Sequence, residues 1–271
     1  MRGARFDIAA LAPLVIFAAA FLAVPIARLI LVAGAGPLGP AAYVAVLVDP
    51  RFRITLFNTL ALATATTALT LTLSTIAAQF LSGRRFPGRE TLLAALILPL
   101  AFPGVVVGFM VIMLGGRLGI VGRATEFAFG EKVVFAYSLT GLLVGYLYFS
   151  IPRVLMTLMA AMEKMDRGLI EAARSLGAGP FAVQCDVVLP ALGPALAASG
   201  ALCFATSMGA FGTAFTLATR IDVLAMVIYS EFTLSANISM AAALSLSLGL
   251  ATWLALALAR RLAGGAALAG A

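Results

Sequence analysis

Glu171-Ala172-Ala173-Arg174-Ser175-Leu176-Gly177, followed after nine residues by Val187-Val188-Leu189-Pro190, is the longest charge-rich run between apolar segments in this chain. It reads as a short helix, a glycine break, and a second helix that runs on into an apolar segment. Asp166 can cap the first helix, because its carboxylate accepts bonds from the free N–H groups of the first turn. Arg167 and Arg174 flank Glu171 at i−4 and i+3, within reach of ion pairing. Leu169, Ile170, Ala173 and Leu176 are expected on one side of that helix. Gly177 suits a left-handed position just past its end. Pro180 can open the next helix, where a missing N–H costs nothing.

The rest of the chain decides what such a loop is embedded in. Of 271 residues 63% are hydrophobic and 11% charged, and the mean hydropathy is +1.11. A soluble protein of this size could not bury that much apolar surface. The sequence is that of a polytopic, all-α membrane protein. A net charge of +7 would suit nucleic acid, but the basic residues are scattered between apolar runs, where they set orientation. With no histidine in the chain, imidazole acid–base and metal chemistry are excluded. Two cysteines, Cys185 and Cys203, suggest no disulfide framework.

A membrane span needs roughly 20 apolar residues. Six runs qualify, at about 8–32, 54–81, 91–114, 134–160, 190–217 and 238–259. The first is longer than the apolar core of a secretory leader, about 7–15 residues, and is expected to remain as a helix bent at Pro25. The second carries seven hydroxyl residues between Thr64 and Thr75, which suit close helix packing. Pro99 and Pro103 remove two backbone donors from the third and predict a kink. Segments 34–53, 115–133 and 161–189 are expected as loops, and 218–237 as amphipathic. Six spans put both termini on one side. That side, with the 84–89 turn and the charge-rich loop, holds eleven basic residues, Arg153 counted among them, against seven opposite. The excess places the charge-rich loop in the cytoplasm.

The residues now support a resemblance. Glu-Ala-Ala, three residues, Gly177, nine residues, an aliphatic, one residue and Leu189-Pro190 resembles the "EAA" signature of ATP-binding-cassette importer permeases. Val187 stands where isoleucine is commoner. Gln184, Cys185 and Asp186 stand where an aromatic and basic residues are frequent. The resemblance implies a type I importer permease. Residues 1–53 would form an N-terminal helix and external loop, 54–261 a core of five spans with a coupling loop at about 161–190, and 262–271 a short tail. Asp166, Leu169, Ile170, Glu171, Ala172, Ala173, Leu176, Gly177, Leu189 and Pro190 would engage and follow a partner ATPase dimer. That dimer would hold the ATP and magnesium, because this chain has no Gly-x-x-x-x-Gly-Lys-Ser/Thr loop. A second permease subunit, an external solute-binding protein and the bilayer of a bacterial inner membrane complete the implied surroundings.

Two other classes fit less well. A membrane-embedded enzyme or an ion-coupled carrier needs converging ionisable groups at depth, and the spans hold almost no Asp, Glu or Lys away from their ends. The pathway is expected between the third, fourth and fifth spans, with Pro99, Pro103, Tyr146, Ser199, Cys203, Thr206 and Ser207 as candidates. The resemblance is nearest the polyamine, phosphonate and ferric-ion group, with polyamine-like and 2-aminoethylphosphonate-like solutes foremost.

Overall fold

Asp49 accepts a hydrogen bond from the Arg51 amide at 2.8 Å, and Pro50 follows it as the first helical residue. This N-cap starts the second span four residues earlier than its apolar run. The computed structural model describes residues 11–217 and 223–269. Positions 8–10 of the first span, and Arg2, Arg5, Arg220 and Asp222, lie outside them. In chain order the helices are α1 Leu11–Gly34, α2 Pro50–Gly83, α3 Arg89–Ile97, α4 Gly104–Gly115, α5 Ile120–Phe129, α6 Leu139–Glu163 and α7 Arg167–Ser175. Then come α8 Pro180–Met208, α9 Gly212–Leu217, α10 Leu224–Thr233 and α11 Ile238–Ala269. Six stretches are long and apolar enough to cross a membrane: α1, α2, the Gly104–Phe129 run, α6, α8 and Ile238–Arg261 of α11. No strand occurs among the described residues.

The structure corrects the third span. Pro99 and Pro103 stop the helix instead of kinking it. α3 ends at Ile97, a 3₁₀ turn spans Leu98–Ala101, and Phe102 (φ −95°, ψ 131°) and Pro103 (φ −61°, ψ 149°) are extended. Proline disfavours the α conformation at the residue before it, and Phe102 takes the extended alternative. The fifth span breaks too: Gly209–Phe211 interrupt α8 and α9. The expected loop at 115–133 contains the helix α5, and the amphipathic 218–237 segment contains α10. There Glu231 is buried and meets Arg51 at 3.5 Å.

α2 and α6 form the centre, with α8 packed across both and α11 against α8. Thr55, Thr59, Thr66, Thr70 and Ser74 make a buried stripe along α2. Thr55 and Thr59 donate to carbonyls four residues back at 2.8 Å each, and the Thr59 hydroxyl also accepts the Leu224 amide at 2.8 Å. Close packing is thus what these hydroxyls serve. One apolar cluster, around Leu155, Leu158 and Leu192, lies at the charge-rich loop. Another, around Leu142, Tyr146 and Leu217, lies toward the opposite end. α1 packs on α11 through Val32 and Ala33, beside Ala242, Ala243 and Leu246; its Leu14, Phe17 and Phe21 face outward.

Glycine sets one contact. A Cβ on Gly108 of α4 would lie 2.5 Å from the Thr216 Cβ of α9, whereas one on Gly249 of α11 would meet nothing within 4 Å. Gly108→Val should therefore cost on the order of 1–3 kcal/mol by overpacking and lower the thermal midpoint of the detergent-purified protein. Gly249→Ala should leave that midpoint unchanged or raise it, by up to about 1 kcal/mol of helix propensity.

Candidate functional site

The charge-rich loop is built as a closed unit. Asp166 (φ −69°, ψ 110°) caps α7 by accepting the Gly168 amide at 2.8 Å. At the other end Gly177 takes φ +86°. Its amide reaches the Arg174 carbonyl at 2.9 Å, and the Ala178 amide reaches the Ala173 carbonyl at 3.0 Å. These two bonds form a Schellman closure, which needs a left-handed residue between them. Both ends of a nine-residue helix are thus satisfied without help from a neighbour.

The apolar residues of α7 divide between two faces rather than one. Ile170 and Ala173 pack on the cluster around Leu158 and Met162. Leu169 and Leu176 point away, 54% and 89% exposed. Residues seven apart fall on one side of a helix, and 169 and 170 lie about 100° apart, so the two pairs separate. Glu171, Ala172 and Arg174 are exposed, and no ion pair joins Arg174 to Glu171 among the described residues. The Arg167 side chain lies outside them. A cavity of about 450 Å³ separates α7 from the ends of α2, α6 and α8, lined by Gln79, Met162, Ile170, Glu171 and Gln184 among others. Beyond it α8 opens with Pro180 and widens into a π turn at Gln184–Val188. Leu189 and Pro190 follow at the entry to the bundle, both on its surface.

A second cavity, of about 270 Å³, lies where the helices break. Its wall includes Pro99 and Phe102 before α4, Gly104 and Val105 at the start of α4, Phe149 and Arg153 on α6, and Ala210, Gly212 and Thr213 at the second break. Interrupted backbone is tolerated at membrane depth only where it is buried in protein or lines a cavity. Here side chains hold it. The Tyr146 hydroxyl donates to the Ala210 carbonyl at 2.7 Å. Thr213 donates to the Gly104 carbonyl at 3.0 Å, and Thr216 to the Val105 carbonyl at 3.2 Å.

Of the residues expected on a pathway, Pro99 lines this cavity and Tyr146 braces it. Pro103 is exposed beside it. Ser199, Cys203 and Ser207 are instead buried inside the subunit, and Thr206 is half-buried with its hydroxyl on the Leu202 carbonyl at 2.9 Å. Arg153 belongs inside a span and not in the count of loop charges. Its place was readable, since Ile151-Pro152-Arg153-Val154-Leu155 sits inside a long apolar run.

Comparison with known proteins agrees with this architecture. The family model of the binding-protein-dependent transport system inner membrane component matches residues 70–265. A Salmonella typhi protein assigned as a 2-aminoethylphosphonate transport system permease is 31% identical over 214 residues, 78% of this chain and 74% of that one. The sulfate transport system permease protein of Escherichia coli is 38% identical over 144 residues, 53% of this chain and 51% of that one. Among solved structures, a chain of a bacterial alginate ABC transporter, in complex with an alginate pentasaccharide-bound periplasmic protein, superimposes with a TM-score of 0.81 at 18% identity. The match covers 95% of this chain and 93% of that one. By family and architecture together, this chain belongs to the inner membrane components of binding-protein-dependent transport systems, the non-catalytic, multi-pass permease subunits of ATP-binding-cassette importers.

Proposed function

We propose that α7 is the element through which a separate ATPase dimer, carrying ATP and magnesium, drives this permease. The observation that carries the reading is the geometry of α7: a helix closed at both ends, with Leu169 and Leu176 exposed on its outer side. Exposed leucines outside the spans have no lipid to meet, and a groove on a partner would cover them. Ile170 and Ala173 tie the helix to the bundle on its inner side. A push on the outer face would pass through Gly177, Pro180 and the π turn to Leu189-Pro190 and so to α8. The passage would then open alternately to either face, along the cavity at the helix breaks. The basic excess supports a cytoplasmic position for α7 and for both termini. A second permease subunit and an external solute-binding protein complete the assembly.

For the solute, the relatives named for 2-aminoethylphosphonate and sulfate favour a small oxyanion-bearing molecule over a polyamine. A 2-aminoethylphosphonate-like solute, one of the two that the sequence suggested, is the specific reading; ferric ion is the alternative.

Single cysteines along α7, introduced after Cys185 is replaced by serine, test the docking face. Cysteines at Leu169 and Leu176 should cross-link to the ATPase, and one at Ala173 should not. Cross-links from the 84–89 turn alone would show that the ATPase sits elsewhere.

Gly177→Val should uncouple transport. A β-branched residue resists φ +86° at a cost of about 1–2 kcal/mol. A Cβ there meets nothing within 4 Å, so the effect is one of backbone conformation and not of a clash. The complex should assemble while uptake and solute-stimulated ATP hydrolysis fall together. Asparagine, which tolerates the left-handed region, should retain more of both. Wild-type uptake by the valine variant would disprove the role of the turn.

A further inference from the structure

We propose that Arg153 holds the oxyanion group of the solute in passing, at the cavity between the helix breaks. The inference deepens the solute reading above and rests on it.

Arg153 sits well inside α6, one of the two helices at the centre of the subunit. It lies ten residues from the Glu163 end of α6 and fourteen from the Leu139 end, or about 15 Å and 21 Å at 1.5 Å per residue. Its side chain is half-buried on the cavity wall. The ion pairs among the described residues are Arg51–Glu231 and Lys132–Glu126, and no acceptor among those residues meets the Arg153 guanidinium. A lone charge at that depth is costly, and such residues face water-filled paths or substrates.

The surroundings favour an anion. No acidic side chain among the described residues lines the cavity. The carbonyls of Gly104, Val105 and Ala210 beside it already accept from Thr213, Thr216 and Tyr146. The charged side chain on the wall is that of Arg153. What remains is a planar guanidinium, which matches a phosphonate or sulfate with two parallel donors. The other walls, Pro99, Phe102 and Phe149, are apolar. One cation without a cage of further donors makes a site that releases its ligand, as a passage requires. A polyamine would meet like charge there.

The importer, reconstituted in vesicles with its ATPase and binding protein, should be assayed for labelled 2-aminoethylphosphonate, sulfate and putrescine. The readout is solute taken up per ATP hydrolysed. Loss of one charge-assisted bond predicts a fall of about tenfold in R153Q for the anion carried. R153K, which keeps the charge, should stay within about threefold. An unchanged ratio in R153Q, with anion uptake by the wild type, would overturn the Arg153 assignment alone. So would an equal fall in R153K and R153Q, which would mark a structural role. Wild-type uptake of putrescine in place of both anions would overturn the solute reading and this inference together.

Discussion

Tyr146 gives its hydroxyl proton to the Ala210 carbonyl, which the second break leaves outside any helix, and Thr213 and Thr216 give theirs to the Gly104 and Val105 carbonyls in the first turn of α4, fastening one broken segment to the other. Within a bilayer no water is at hand to take that place, and an unmatched carbonyl costs several kcal/mol. These bonds form because α4, α6 and α9 lie close together. Closeness in turn requires glycine where the backbones cross. A Cβ on Gly104 would come within 3.2 Å of the Thr213 amide, and one on Gly145 within 2.7 Å of the Thr213 side chain. Hydroxyls and missing side chains thus work as one device, and the cavity is what the device leaves open.

The contrast with α2 is instructive. Its hydroxyls are more numerous, and half of them bond back along their own helix, at Thr55, Thr59, Thr67, Thr72 and Thr75. A threonine that serves its own helix needs no break to serve, and α2 runs uninterrupted from Pro50 to Gly83. The same residue types therefore do two different things, and only the partner of the hydroxyl tells them apart.

That difference explains what could be read from the sequence. The membrane class and the six apolar runs follow from composition, which lipid imposes on every span. The caps of α7 were legible because Asp166 and Gly177 act within a few residues of chain. The single apolar face of α7 was not, because a nine-residue helix offers too few turns to separate one stripe from two. Pro99 and Pro103 announced a disturbance, but whether the helix bends or stops depends on neighbours that can satisfy the freed backbone. Ser199, Cys203 and Ser207 share a face, as their spacing says, but spacing cannot say that the face looks into the subunit. Arg153 was visible and misassigned. It falls inside the apolar run at about 134–160, so the sequence alone was enough to keep it out of the count of loop charges.

The π turn at Gln184–Val188 bears on the length of the loop. It closes through the Leu189 amide on the Gln184 carbonyl, five residues back. It lies just ahead of Pro190, which has no N–H to offer the Asp186 carbonyl, so the ladder there is already one bond short. A π turn holds one residue more than an α turn, and each residue turns a helix by about 100°. The rotational phase between α7 and the membrane part of α8 is therefore written in the number of residues between Gly177 and Leu189, not in their identity. Val for Ile, or Gln184-Cys185-Asp186 for an aromatic and basic residues, leaves that phase untouched. Gaining or losing a single residue would turn the outer leucines of α7 away from whatever they face, which makes this stretch permissive of spelling and intolerant of length.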